Sequence, residues 1–328
     1  MRAALQASWY GPGGFLTLVL LPVSWLFCAV VQLRRLAYRL RLPSRGRLPV
    51  PVVVIGNLTV GGTGKTPLVI WTAEFLRHHG YTPGIVSRGY GGRAKRWPQQ
   101  VRGDSDPSVV GDEAVLIAGR TGCPMAVGPD RVAAARAVLA HSDCDVILSD
   151  DGLQHYALRR DVEIAVIDGM RRFGNRRCLP AGPLREPLSR LAGVDLLVSN
   201  GAAAAREYAM RYRGRQLRRL LDGEECELKS FDRKSVHAVA GIGNPEAFFV
   251  RLTQAGLRVI PHAFADHHAY RPEDLAFEDE KPVIMTEKDA VKCRRFASPQ
   301  HWYLPVEAEL DPAFGKALLQ RLKRSENG

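Results

Sequence analysis

The sequence predicts an α/β fold: a doubly wound, mostly parallel sheet, a smaller C-terminal α/β domain, and an N-terminal membrane-associated helix. Three observations carry this prediction. Short β-branched apolar runs alternate with stretches of helical period, as in sheets built from strand–helix–strand units. A glycine-rich turn separates the first such run from the first such helix. An uninterrupted apolar segment occupies residues 15–31.

That apolar segment, FLTLVLLPVSWLFCAVV, is shorter than the ~20 residues of a typical membrane span, and Pro22 falls inside it. Residues 1–47 hold seven of the arginines and no lysine or acid, so much of the +12 net charge sits at this end. Arg34, Arg35, Arg39 and Arg41 would meet anionic headgroups, and Trp9, Tyr10 and Trp25 suit an interfacial depth. The expectation is a membrane-seated helix, spanning or lying in one leaflet, with the rest of the chain on the cytoplasmic side. A second Arg-rich stretch, 170–190, could face lipid, nucleic acid or an anionic substrate.

VPVVVIGN (50–57) reads as a buried parallel strand. LTVGGTGKT follows, then a helix whose apolar face is Leu68, Val69, Thr72, Phe75 and Leu76, closed by Gly80. Strand, glycine loop and helix in this order form the context a phosphate-binding loop requires, so the core is P-loop NTPase-like. Residues Thr59, Val60, Gly61, Gly62, Thr63 and Gly64 would line the nucleotide phosphates. Lys65 would reach the β- and γ-phosphates, and the Thr66 hydroxyl would ligate Mg²⁺. The common G-x-x-x-x-G-K-[ST] pattern puts a glycine where this chain has Thr59, which leaves the first turn of the loop open.

Acids supply the other half of such chemistry. CDVILSDDGLQH (144–155) is a second apolar strand ending in Asp150 and Asp151, at the strand end where parallel sheets bind ligands. VVGDEAVLIA (109–118) opens a helix with Asp112 and Glu113, where capping would account for Asp112 and the helix dipole for Glu113. ADHHAY (265–270) adds Asp266, His267 and His268.

Further runs at 82–88, 124–128, 162–168 and 195–200 extend the sheet. The polar stretch after Gly201 marks a boundary. The expected division is 1–48 membrane-associating, 49–215 P-loop core, 216–235 linker, and 236–328 a smaller domain completing the nucleotide cleft. Within the last, GIGNPEAF is a tight turn and helix cap rather than a dinucleotide fingerprint. The six cysteines form no CxxC pair and read as reduced thiols.

GNLTVGGTGKTP, SRGYGG, GDEA, DDGLQH, LPAGPLREP, DHHAY and TEKDAVK occur in this order. Together they make the chain resemble the tetraacyldisaccharide 4′-kinases, the lipid A 4′-kinase family of Gram-negative envelope biosynthesis, to roughly residue 306. Thr59 fits that family's own form of the loop. The resemblance implies that the γ-phosphate of MgATP passes to the 4′-hydroxyl of an acylated glucosamine disaccharide 1-phosphate, giving lipid IVA. It implies work at the cytoplasmic face of the inner membrane against an anionic surface, with no nucleic acid and no obligate protein partner. It implies that Asp112 accepts the acceptor hydroxyl's proton with His267 as its partner. Glu113, Asp150, Asp151 and Glu186 match acids around the metal and sugar, and His155 and Arg185 match residues near the transferred phosphate or the substrate. Thr286, Lys288 and Asp289 match a segment beside the nucleotide base. The alternative, a membrane-attached P-loop ATPase acting through a protein partner, predicts phosphate release to water. Nucleic-acid binding is disfavoured, since no helix-turn-helix, RNA-binding or zinc-finger motif is present.

Overall fold

The computed structural model describes residues 2–11, 14–40, 42 and 46–326. Arg41 lies outside them. Helices α1 (Arg2–Tyr10) and α2 (Phe15–Arg39) precede β1 (Val52–Gly56), α3 (Lys65–His78), β2 (Pro83–Ser87), β3 (Gln99–Val101), α4 (Pro107–Val110) and α5 (Asp112–Thr121). Then come β4 (Met125–Val127), α6 (Arg131–His141), β5 (Val146–Asp150), β6 (Val162–Asp168), β7 (Leu196–Asn200) and β8 (Glu207–Arg213). The second sheet begins with β9 (Gln216–Arg219) and β10 (Glu225–Glu227), followed by β11 (Ser235–Ala240), α7 (Pro245–Gln254), β12 (Arg258–Ala263), β13 (Val283–Thr286), α8 (Glu287–Cys293) and β14 (His301–Leu304). Finally β15 (Glu307–Leu310) and α9 (Pro312–Glu326) close the chain's described part.

The first sheet has the order β15-β8-β7-β6-β1-β5-β2-β4-β3. Only its edge pairs, β15 with β8 and β3 with β4, are antiparallel. Strand β1 lies between β5 and β6, so the loop after β1 and the acids after β5 emerge side by side at the carboxyl edge. Strand β1 is buried along its length because both sheet faces are covered, which selects the run Val-Val-Val-Ile. Each such side chain contributes roughly 1.5–3 kcal/mol on burial.

Two expectations about domain limits need correction. Segment 216–235 is not a linker: β9 pairs with β14 and β10 with β9, and Leu217, Leu228 and Phe231 belong to the second core. Segment 236–328 is not wholly a second domain either. Strand β15 and helix α9 return to the first sheet, where Phe314, Leu318 and Leu322 enter its core. Strand β8 belongs to the first domain, within the expected 49–215, with Met210 buried while Arg211 and Arg213 face out.

Helix α2 is 25 residues long with Pro22 inside it, or about 37 Å at 1.5 Å per residue. One side rests on the first domain. Ser24 Oγ donates to the Cys178 carbonyl at 2.7 Å, and Phe27 and Cys28 pack on the adjoining core. Trp9 of α1 is half-buried and donates from Nε1 to the Pro180 carbonyl at 2.9 Å. The other side of α2 exposes Leu18, Trp25, Leu26 and Leu33, each about two-thirds accessible.

Candidate functional site

The glycine loop answers the question its missing glycine raises. Residues 59 and 60 are fastened to the segment before Arg185: Thr59 bridges Leu184, and Val60 N–H donates to the Pro183 carbonyl at 2.9 Å. This backbone is extended, so a β-carbon at position 59 is tolerated. Gly61 and Gly64 have φ of 104° and 96°, the left-handed region that favours glycine. Gly61 and Gly62 look onto open space, whereas a β-carbon on Gly64 would come within 2.5 Å of the Tyr212 hydroxyl. Asn200 supports the turn from below, donating to the Thr63 carbonyl at 3.3 Å. The loop is thus rigid at its base and open where phosphate would enter. Thr66 stands one residue into α3 beside Lys65.

Lys65 Nζ donates to Asn57 Oδ1 at 3.3 Å and lies 3.7 Å from Asp151. Arg185 Nη1 contacts both Asp151 oxygens at 2.9 Å. Burial would raise the Asp151 carboxyl, but Lys65 and Arg185 outweigh it and hold the group below its ordinary range. Its neighbour has the opposite fate. Asp150 is buried at the end of β5, and Ser87 Oγ donates to its Oδ2 at 3.0 Å while Oδ1 has no partner. Burial first, then Glu113 and Asp151, push Asp150 up to about 7. An orphaned, desolvated carboxylate oxygen beside a threonine-bearing phosphate loop fits a hard divalent cation.

Asp112 and His267, 155 residues apart, meet across the interdomain cleft. His267 Nδ1 is 3.0 Å from both Asp112 oxygens. Gly111, with φ 95°, is the N-cap of α5, and Asp112 Oδ1 accepts from the Glu113 N–H at 2.8 Å, so one first-turn amide is satisfied by Asp112 while its carboxylate still meets His267. Burial would raise the Asp112 carboxyl, but the His267 bond with Lys288 and Lys292 outweighs it, so the group is lowered. The same bond raises His267 against burial and Lys288. His267 itself has φ 62°, an unusual left-handed position for a non-glycine residue. The SRGYGG turn frames the pair: Tyr90 lies 5.0 Å from the His267 ring, and a β-carbon on Gly111 would come within 2.6 Å of the Tyr90 carbonyl. A cavity of about 570 Å³ opens beside the pair, bordered by Arg93, Ser108, His268 and Arg295.

Several expected site residues stand elsewhere. Glu186 is 1% exposed and accepts from the Tyr156 hydroxyl and from Gln154 Nε2, an amide that also donates to the Asn57 carbonyl at the start of the loop. Arg190 lies 3.8 Å away, so this carboxylate also ties its own segment to Tyr156 and Gln154. Glu113 is joined to Lys288 Nζ at 3.0 Å. Thr286 and Asp289 form an internal helix cap, with Thr286 Oγ1 donating to Asp289 at 2.6 Å and accepting from Asp289 N–H. Asp289 is fully buried and also accepts from Gly241 N–H, so neither residue offers a surface to a base. Lys288 points to the Asp112–His267 pair. His155 keeps a buried Nε2 without a partner, and burial with Arg131 depresses it to about 4, leaving the ring neutral.

The residues missed in the sequence are polar side chains at strand ends: Asn57 after β1, Ser87 at the end of β2, and Asn200 at the end of β7. Their position at the carboxyl edge was the available signal. GIGN, read only as a turn, also reaches the site: a β-carbon on Gly243 would lie 3.5 Å from Gly62 N.

A phosphate loop on a central parallel strand, with paired acids on the neighbouring strand and an acid–histidine pair closing from a second domain, defines a P-loop phosphotransferase. The family described as tetraacyldisaccharide-1-P 4′-kinase matches residues 16–323, and the chain belongs to that family. It is 60% identical to the tetraacyldisaccharide 4′-kinase of Nitrosococcus oceani over 94% of this chain and 91% of that protein. Identity is 56% to the same enzyme of Alkalilimnicola ehrlichii, covering 92% of each chain. The crystal structure of Aquifex aeolicus LpxK in complex with ATP superposes with a TM-score of 0.80 at 27% identity, covering 94% of this chain and all of that one.

Proposed function

We propose that the protein transfers the γ-phosphate of ATP to the 4′-hydroxyl of a tetraacyldisaccharide 1-phosphate, giving the 1,4′-bisphosphate lipid IVA. The observation that carries this reading is the Asp112–His267 pair, joined to the glycine loop through Gly243, whose β-carbon position lies 3.5 Å from Gly62 N and 3.7 Å from Asp266. Family membership supports the choice of lipid acceptor over water or protein. The loop amides and Lys65 hold the β- and γ-phosphates. Asp112, ionised at neutral pH, takes the acceptor hydroxyl's proton as the new O–P bond forms and the β–γ bridging bond breaks. His267 orients that carboxylate. Arg185 and Lys65, already turned inward on Asp151, are placed to face charge on the transferring group.

Mg²⁺ would be held by Asp150 and the Thr66 hydroxyl, where its charge offsets that of the phosphate oxygens. Asp151 keeps Lys65 and Arg185 aligned. His155 is neutral, and its buried Nε2 would reach the substrate only if that nitrogen were uncovered on binding.

The apolar face of α2 sits on the membrane, with Arg34, Arg35 and Arg39 at the anionic headgroups of the cytoplasmic leaflet. The docking of its opposite side onto the first domain supports a helix lying in one leaflet over one that spans. Purified protein given γ-labelled ATP, Mg²⁺ and tetraacyldisaccharide 1-phosphate in detergent micelles should place label in the lipid. Label found only as inorganic phosphate would favour the ATPase alternative and overturn this reading.

A further inference from the structure

Lys288 opens α8 in the second domain, and its ammonium is nearly enclosed at the heart of the cleft. A lysine has three N–H donors and no acceptor. Three acceptors surround it: Glu113 Oε1 at 3.0 Å, Asp266 Oδ1 at 3.2 Å and His267 Nε2 at 3.4 Å. The third matters most. A nitrogen that receives a hydrogen bond must present its lone pair, so Nε2 carries no proton in this arrangement. The ring proton is then on Nδ1, which lies 3.0 Å from both Asp112 oxygens. Asp266 also lies 3.7 Å from Nε2 and could stabilise a proton there. It is already bonded to Lys288, which stands between the two.

We propose that Lys288 is a positioning residue for phosphoryl transfer: it fixes the Nδ1–H tautomer of His267, and so the orientation of Asp112, while tying the second domain to Glu113 of the first. This deepens the kinase reading and rests on it. It replaces the nucleotide-base contact that the family resemblance implied for this residue. A tautomer fixed by the bond on the far ring nitrogen is a general device for orienting an acid–histidine pair. Here the bond comes from a cation, whose charge acts against ring protonation at Nε2, while the Asp112 bond on Nδ1 acts the other way and raises the ring overall.

The test is steady-state kinetics of the full chain in micelles, with ATP and lipid varied separately, on Lys288→Met and Lys288→Arg. Since a well-placed general base contributes about 10²–10⁴-fold, Lys288→Met should lower kcat by roughly 10- to 100-fold while KM for ATP stays within about twofold. Lys288→Arg, which keeps the charge, should recover part of the loss. Lys288→Met combined with His267→Ala should be no slower than His267→Ala alone, because Lys288 acts through the ring. An unchanged kcat, a rise in KM for ATP at constant kcat, or a double variant equal to the product of the singles would each overturn the proposal. Nitrogen-15 spectra of histidine-labelled wild-type protein add a readout that does not depend on variants folding. His267 should show the Nδ1–H tautomer, and an Nε2–H signature would contradict the assignment. That spectrum tests Lys288 even if no label reaches lipid, so its failure is distinct from failure of the kinase reading.

Discussion

The two walls of the cleft are built differently. The phosphate wall comes from one domain: β1, the glycine loop and the end of β5 belong to a single sheet, and Lys65, Asp151 and Arg185 are joined within it. The proton-accepting wall is shared. Asp112 lies on the first domain, while His267 and Lys288 come from the second. A rotation of one domain against the other would leave the first wall whole and pull the second apart. The contacts among Lys65, Asp151 and Arg185 therefore do not need the domains in register, whereas the Asp112–His267 contact does.

Lys65→Ala breaks the phosphate wall and should have the largest effect. By analogy with removal of one preorganised charge-stabilising donor, kcat should fall by about 10²–10³-fold or more. Labelled-lipid assays would check this, and near-normal turnover would remove Lys65 from the phosphate site.

Asp150→Asn sharpens the contrast from the side of stability. The Asp150 carboxyl is raised from 3.8 to about 7 in the folded protein. Below about pH 4 it is protonated in both states and costs nothing. Between pH 4 and 7 the unfolded chain releases the proton while the folded chain keeps it, so stability falls as pH rises, and the cost is complete above 7. Asp150→Asn should therefore stabilise the metal-free protein at pH 8, by on the order of 2–4 kcal/mol, and hardly at all at pH 4, while destroying activity. Thermal unfolding at the two pH values measures this. Equal shifts at both would mean that the carboxylate is not desolvated as described.

The smallest effect on the cleft should come from the outer face of α2. Replacing Leu18, Trp25, Leu26 and Leu33 by Asn removes apolar contact worth roughly 1–2 kcal/mol per residue from a membrane-seated helix. Sedimentation with anionic vesicles should fall sharply. Unchanged binding would place the membrane contact elsewhere.

How much of this was legible follows the same division. The phosphate wall is local in sequence: an apolar strand, a glycine loop and a helix with buried Leu68, Val69, Thr72 and Leu76 can be read from one 30-residue window. Asp150 and Asp151 stand at a strand end and announce themselves, although their opposite environments do not, since those depend on Ser87, Lys65 and Arg185 brought in from other loops. The shared wall is legible only through resemblance, because nothing in GDEA or DHHAY states that Asp112 and His267 touch. The polar edge strands β8, β9 and β10 were hidden by alternating charge, with Met210 and Leu217 the single buried side chains on β8 and β9. Strand β15 was hidden because the chain crosses to the second domain and returns. Thr286 and Asp289 carry the chemistry of a site but are engaged in a helix cap, which only their hydrogen bonds reveal.

The division between the two walls is tested most directly by Asp112→Ala, measuring kcat with labelled lipid and, separately, ATP affinity by equilibrium binding. The expected result is a fall in kcat of about 10²–10⁴-fold with ATP binding nearly unchanged. Weakened ATP binding at a preserved kcat would place Asp112 in the phosphate wall and contradict the account.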